Sequence, residues 1–468
     1  MNAHRPYACC HVQPRVLTRR EMLQTMSAGF GWLAFAGLSA TRAAAESRNP
    51  LAPKAPQFAP RAKRVIFLCM QGGPSHMDTF DYKPLLSADD GKPGMSRGGG
   101  AQLYGSPFQF QRHGQSGLWV SELFPNLARH ADELCVLRSM NTDIPNHPQA
   151  FVQLHTGSSQ FVRPSMGAWL LYGLGSENQN LPGFITISPP LQFGAQNFGS
   201  AFLPAVYQGT RLGAQKENVT EASVGNIANA ELTATQQRRQ LDLVQSMNRD
   251  LFATSSASPE VEGVIESFEL AFRMQSEVPR VMDFSKESSA TRKMYGIGDR
   301  LTDDFGRQCL MARRFAEAGV RFIEVCRGGW DQHNNLRAAI TRNCQATDQP
   351  IAALLADLKS RGLLEDTLVL WGGEFGRTPD SRRPDGRDHN AKGFTMWLAG
   401  GGVRRGLAYG ATDDYGYKAI ERPVHVHDLH ATILHLLGLD HEKLTYRYAG
   451  RDFRLTDVRG HVVKDIVA

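Results

Sequence analysis

Short, wholly apolar runs recur along this chain, and each gives way to a polar loop. "RVIFLCM" at 64–70, Leu134–Arg138, Phe184–Ser188, "VRFIEVC" at 320–326, "TLVLW" at 367–371 and Thr395–Ala399 lack the alternation of a strand with one wet face. Continuous apolar strands of this length belong to sheets buried on both sides. Helix-like stretches stand between them, including Leu310–Ala318 and Ile351–Arg361. Strands alternating with helices predict an α/β fold whose central sheet is mostly parallel and covered on both faces. From about 231 to 293 the pattern changes to polar, helix-favouring segments broken by Ser and Pro. This predicts a helical insertion beside the sheet, either a cap or a solvated excursion with no part in a site.

Composition adds little until the charge is located. The chain has 468 residues, 41% hydrophobic and 21% charged, with a formal net charge of +6. Residues 1–45 hold five arginines and one glutamate, so +4 lies there and +2 in the remainder. No basic run stands outside this front segment, which argues against nucleic-acid binding. Arg19 and Arg20 precede a weakly apolar stretch from Met22 to Ala40 that ends at Ala43-Ala44-Ala45. That order predicts a twin-arginine export signal over 1–45, with a periplasmic or cell-surface destination and no stable membrane span after cleavage. An uncleaved anchor is the alternative. Four prolines then mark 46–62 as an extended linker, leaving 63–468 as the folded body. Five widely spaced cysteines remain beyond residue 45, without a C-x-x-C pair, so neither a disulfide framework nor a zinc knuckle is expected.

The chemistry lies after the strands. In open α/β sheets function gathers beyond the carboxyl ends of the strands. "RVIFLCM" runs into "QGGPSHMDTFD", with Asp78; Leu134–Arg138 into "SMNTDIPNHPQAFVQLHTG", with His147; "VRFIEVC" into "RGGWDQHNN", with Asp331 and His333. "TLVLW" runs into "GGEFGRT", with Glu374 and Arg377, and the last strand is preceded by Asp388-His389-Asn390. Imidazole and carboxylate groups from five loops on one edge suit a divalent cation of the zinc kind. The ligands would come from different strands, because no sequence-local pair such as H-E-x-x-H is present.

The motifs "GGPSHMDTFDYKP", "NHPQAFVQLHTG", "GGWDQHNN", "GGEFGRTP", "DHNAKGFTMWLAGGGVRRG" and "VHDLHATILHLLGLD", in this order from Val65 to Asp440, resemble the DUF1501 family of the alkaline phosphatase and sulfatase superfamily. The resemblance implies a three-layer α/β/α sandwich and metal-dependent hydrolysis of anionic esters, phosphate or sulfate, on a small molecule or a polysaccharide. It implies that Asp331, His333 and His389 bind a divalent metal, zinc or calcium, with Glu374 and Asp78 as further ligands and one ion rather than two. Relative to that superfamily, Gln71 and Glu374 stand where aspartates are usual, Phe375 stands where a histidine is usual, and His147 stands at the nucleophile position. His147 is open to four readings: nucleophile, general acid or base, metal ligand and helix cap. Arg377 is the candidate clamp for substrate oxygens, with Asn390 beside it. Glu374, a carboxylate straight after a buried strand, needs a partner. His425, His427, His430 and His435 fall on a helix entered at Asp428 and are expected to be structural. Two functions therefore stand: an exported ester hydrolase, and a non-catalytic envelope or carbohydrate-binding protein with an eroded metal site.

Overall fold

A computed structural model describes residues 49–468, apart from 96–98, 192–193, 216, 220–230, 255–258 and 384 and apart from the side chains of 249–266. The export segment expected at 1–45 lies outside the described residues.

The apolar runs form one mixed sheet. Its strands are β1 (Arg64–Met70), β2 (Leu134–Asn141), β3 (Phe184–Ile187), β4 (Thr210–Leu212), β5 (Phe322–Arg327), β6 (Thr367–Gly372), β7 (Phe394–Ala399) and β8 (Leu407–Tyr409), in spatial order β8-β2-β7-β6-β1-β5-β3-β4. The two-residue strand Val424–His425 also pairs with β2. Every pair is parallel except those made by β7, which runs against both β6 and β2. Because β7 is reversed, its amino end lies at the edge where its neighbours end, so the loop before it joins the loops after them. All seven residues of β1 and all six of β6 are buried, as a doubly covered sheet requires.

Helix α1 (His147–Thr156) lies over the face that carries Glu324 of β5. Helices α2 (Met166–Leu174), α3 (Ala234–Thr254), α4 (Pro259–Met282), α5 (Asp303–Glu317), α6 (Leu336–Ser360) and α7 (Val426–Leu436) follow. α5 packs on α6 and against β5. α3 and α4 are joined by a bidentate Arg238–Glu269 pair with both N···O distances at 2.7 Å. α4 docks on α5 through Arg314, whose guanidinium donates to the Val281 carbonyl at 2.6 Å.

Two helix boundaries differ from expectation for local reasons. The helix expected at 351–361 begins fifteen residues earlier, at Leu336, and Pro350 lies inside it. Proline usually breaks a helix, but here the face bearing Ile340, Cys344, Ile351 and Leu355 is buried throughout, so tertiary packing carries the helix across it. The late helix starts at Val426 rather than Asp428. His425 is its N-cap and Asp428 its third residue, and the two close a capping box in which Asp428 Oδ2 accepts from the His425 N–H at 2.8 Å.

Trp371 anchors the core beneath the site edge. It is fully buried, edge-on to Phe80 (5.2 Å) and Trp330 (6.1 Å), and parallel to Trp397 at 6.1 Å. Truncating it removes contacts from strand, loop and neighbouring strand together. Trp371→Ala should cost about 3–5 kcal/mol of unfolding free energy, measured by urea denaturation; a loss below about 1 kcal/mol would contradict this anchoring role.

Candidate metal centre

Backbone constraints bring the loops together first. Gly72, just past β1, has φ +115°, and a Cβ there would lie 2.5 Å from the Asp331 nitrogen. Only glycine lets the 330–331 loop come this close to the end of β1. A Cβ on Gly386 would lie 1.9 Å from the His333 carbonyl oxygen, so the 378–388 loop closes on the 331–334 loop for the same reason. Gly376–Arg377 then pairs antiparallel with His389–Asn390, setting Arg377 opposite His389.

Four side chains meet at one oxygen. Asp331 Oδ1 lies 3.2 Å from His147 Nε2, 3.2 Å from His333 Nε2, 3.4 Å from His389 Nε2 and 2.7 Å from Arg377 Nη2. Each imidazole is fixed through its other nitrogen. His147 Nδ1–H donates to Glu374 Oε1 at 2.5 Å, His333 Nδ1–H to Asp388 Oδ1 at 3.1 Å, and His389 Nδ1–H to the Pro145 carbonyl at 2.9 Å. Carboxylates and carbonyls only accept, so all three Nδ1 atoms carry protons, and in the neutral rings the Nε2 lone pairs point at the shared centre. Glu374 is itself oriented: both its oxygens accept from the Gly72 N–H, at 3.0 and 3.2 Å. Phe375 packs against the His147 and His389 rings, with centroids 4.6 and 4.7 Å away.

This donor set fits a single cation. Ligands about 2.0–2.1 Å from a zinc ion stand roughly 3.3 Å apart at tetrahedral corners and roughly 2.9 Å apart at adjacent octahedral corners. The three Asp331-to-imidazole distances match the first spacing, and His333 Nε2 to His389 Nε2, at 2.9 Å, matches the second. The donor atoms of His147, Asp331 and His389 all lie within 4.8 Å of one another; His333 meets Asp331 and His389 from the side. Imidazoles anchored by carboxylate or carbonyl partners are the usual outer shell of such a centre. Electrostatics agree. Burial opposes protonation of His147, but Asp331 and Glu374 outweigh it and raise the ring to about 9. Burial likewise opposes ionisation of Asp331, yet the His147 and His389 rings when protonated, together with the Arg377 guanidinium, hold its carboxyl far below the usual carboxylate range. The field that favours a proton here favours a divalent cation too.

A family model described as a protein of unknown function, DUF1501, matches residues 62–467. The chain belongs to the DUF1501 family. No curated protein matches it. Solved structures similar to this DUF1501 protein include Ps i-CgsB, at 11% identity and TM-score 0.37 over 81% of this chain and 72% of that one. They also include the zinc complex of the C-terminal periplasmic domain of EcEptC from Escherichia coli (9%, 0.36, 85% and 88%) and a magnesium-bound mutant of TAB5 alkaline phosphatase (12%, 0.31, 73% and 92%).

Of the residues singled out in the sequence of this DUF1501 protein, Asp331, His333, His389 and His147 come together. The others do not take the expected places. Glu374 is fully buried one bond behind His147, where it orients the ring instead of facing the centre. Asp78 is also fully buried, and its oxygens are held by Arg387 Nε (2.7 Å), Arg387 Nη2 (3.1 Å) and Ser75 Oγ (2.5 Å), so it is committed to an ion pair with Arg387 away from the imidazoles. Arg377 is not a free clamp. Its guanidinium is fully buried and donates to the carbonyls of Gly72, Gly73, Trp330 and Arg387 as well as to Asp331. Asn390 is a loop latch, with Nδ2 donating to the carbonyls of Gly416 and Tyr417 at 3.2 and 2.9 Å. The orienting partners Asp388 and Pro145 were not singled out. Asp388 was signalled by its place beside His389, but the Pro145 carbonyl is a backbone group with no residue signature.

The Asp78 assignment is open to test. Burial opposes ionisation of Asp78, but Arg387 and Ser75 outweigh it, so its folded pKa lies below the ordinary carboxylate value. Its contribution is then fully present above the unfolded value of about 4 and is lost as pH falls through the folded one. Asp78→Asn should cost about 3–5 kcal/mol at pH 7 by leaving Arg387 buried and unpaired, with a smaller penalty below about pH 4. Metal stoichiometry, read by elemental analysis below the variant's melting temperature, should stay unchanged. A folded variant that loses its metal would return Asp78 to the ligand set.

Proposed function

We propose that this chain is an exported, single-metal hydrolase of sulfate or phosphate esters. Export rests on the paired arginines and small-residue site within 1–45, with 46–62 as the linker, 63–468 as the enzyme domain and about 231–293 as its helical insertion. The observation that carries the catalytic reading is the convergence of Nδ1-anchored imidazoles on Asp331 Oδ1. His147, Asp331 and His389 would hold the ion, with His333 at its flank. An imidazole-rich set suits zinc and disfavours calcium, which takes oxygen ligands.

When bound, the ion supplies Lewis-acid polarisation of an ester oxygen and neutralises charge that develops there. The chain supplies position. Glu374, Asp388 and the Pro145 carbonyl hold the ring tautomers, and Arg377 keeps Asp331 ionised. The partly exposed Asp331 and half-buried imidazoles leave one side of the centre open to solvent. Water is the proposed nucleophile. Among the described residues, no Ser, Thr or Cys side chain bonds to Asp331, His147, His333 or His389, and the nearby Cys326 thiol is pushed up to about 11 by burial, where it stays protonated at neutral pH. His147, as a ligand, is then no longer free to attack.

The committed Arg377 favours a second reading, a carbohydrate- or envelope-binding protein that keeps the metal for structure. Turnover separates the two. The mature chain loaded with zinc should carry about one equivalent, His389→Ala and Asp331→Ala should lose it, and the loaded wild type should hydrolyse p-nitrophenyl sulfate or phosphate. One equivalent without turnover of either ester would leave the binding reading; no metal at all would overturn both the centre and the hydrolase. A finer test is Glu374→Gln, which keeps every ligand but weakens the hold on His147. Metal affinity by chelator competition should fall about 10- to 100-fold, and an unchanged affinity would show that Glu374 does not act through His147.

A further inference from the structure

A cavity of about 710 Å³ opens beside His147 and Asp331, walled by the ends of β1, β3 and β5 and by the start of α5. Its volume is that of a small-molecule site, and its wall has a definite chemistry. Ser188 and Gln308 line it, are 4% and 2% exposed, and have Oγ and Oε1 respectively without a hydrogen-bond partner among the described residues. Buried polar atoms without partners are costly, about 1–3 kcal/mol each, and a ligand offering hydrogen bonds would relieve that cost. Ser188 also has φ +54°, outside the usual range for a residue with a side chain, and such strain gathers at functional sites. Across the cavity the Gln215 amide donates to Gln71 Oε1 at 2.7 Å, in space that exists because Gly328 has no Cβ; one there would lie 1.8 Å from Gln215 Nε2.

Charge narrows the ligand further. Apart from His147 and Asp331 of the metal centre, the charged residues among the described lining are Glu217, Asp304 and Arg327, and Arg327 is paired with Asp304 at 3.5 Å. Arg377 is spent on carbonyls and Asp331. Beyond the metal centre the wall therefore offers carboxylate and amide oxygens, which accept hydrogen bonds, and no unpaired cation among its described residues. A second anionic group on a ligand would be desolvated against like charge. Hydroxyl groups would find acceptors at Gln308 and the carboxylates, and a donor or acceptor at Ser188.

We infer that this cavity binds the alcohol half of the substrate, and that this half is a polyhydroxyl group of the glycosyl class bearing no anionic group of its own. Placing the ester at the metal rests on the hydrolase reading above; the preference for a neutral polyol rests on the cavity wall alone.

The test is binding to the zinc-loaded mature chain. Glucose, galactose and mannose would be compared with their 2-amino and their uronate counterparts by calorimetry and ligand-observed NMR. The neutral and amino sugars of at least one series should bind ten or more times tighter than the matching uronate. Gln308→Leu should weaken the neutral sugar at least fivefold with metal content unchanged, and Glu217→Gln should narrow the gap between amino sugar and uronate. Uronates binding as well as neutral sugars, no sugar of any series binding, or a Gln308→Leu variant that binds normally would each overturn the inference. Binding in the expected order without hydrolysis of a sugar sulfate or phosphate would keep the cavity assignment and remove only the hydrolase. Hydrolysis confined to esters of uronates would do the reverse.

Discussion

Three imidazole lone pairs and one guanidinium aimed at a single carboxylate oxygen set the terms for the rest of this structure. Asp331 Oδ1 satisfies Arg377 by itself, but His333 Nε2 and His389 Nε2 stand 2.9 Å apart with their Nδ1 protons already given to Asp388 and Pro145. Two acceptors at that distance repel unless a proton or a cation lies between them. The arrangement is thus complete only with a positive charge at its centre, and much of the surrounding chain can be understood as holding that centre in place. Gly72 and Gly386 allow the close loop approaches, Phe375 walls the His147 and His389 rings, Glu374 fixes His147 and Asp388 fixes the third ring, His333.

The buried arginines supply the rigidity. Arg377 draws together the turn after β1, the loop after β5 and the loop before β7 through backbone carbonyls, and Arg387 pins the last of these to Asp78 under the first. Buried charges add little net stability once desolvation is counted, so their value here is geometric. A centre whose ligands come from different strands needs a framework held to within about half an ångström, and planar guanidinium forks satisfy several carbonyls at fixed angles. This is also why Arg377 cannot serve substrate: its donors are already committed to that framework.

How much of this the sequence disclosed depends on how local each feature is. Strand identity and the site edge were legible, because continuous apolar runs and the polar loops after them are local patterns. The reversed direction of β7 was not, since its composition is that of its parallel neighbours. Asp331, His333 and His389 stood out in the polar loops at the strand ends, the family resemblance grouped them, and the structure brings the three together. Glu374 and Asp78 were expected as further ligands, whereas the structure sets Glu374 on His147 and Asp78 on Arg387, a difference that residue type alone does not show. Only the distance to Gly72 N–H and His147 Nδ1, or to Arg387, separates them. The helix around Pro350 shows the opposite case, in which burial of a whole helix face overrides a strong local breaker.

The same test of distance separates the surface centre from a second group of similar composition. Cys69, His155 and Glu324 also lie within 4.8 Å of one another, entirely inside the core. His155 Nδ1–H donates to the Phe151 carbonyl at 2.7 Å, as a ligand's ring would be anchored. But His155 Nε2 stands 2.5 Å from Glu324 Oε1, the length of a hydrogen bond and well short of the roughly 3.3 Å that two ligands of one tetrahedral ion require. Glu324's other oxygen is taken by Thr186 Oγ1 at 2.7 Å. Burial lowers the proton affinity of His155, and Glu324 more than restores it, so the ring sits above its ordinary value. A shared proton satisfies this group, with no cation needed, and no solvent reaches it. At the sheet edge the spacings are wider, the lone pairs are left over and one side is open. Similar groups thus make a hydrogen-bonded pair in the interior and a proposed cation site at the rim, and the two differ by about 0.7 Å in one distance, between His155 and Glu324 on one side and His147 and Asp331 on the other.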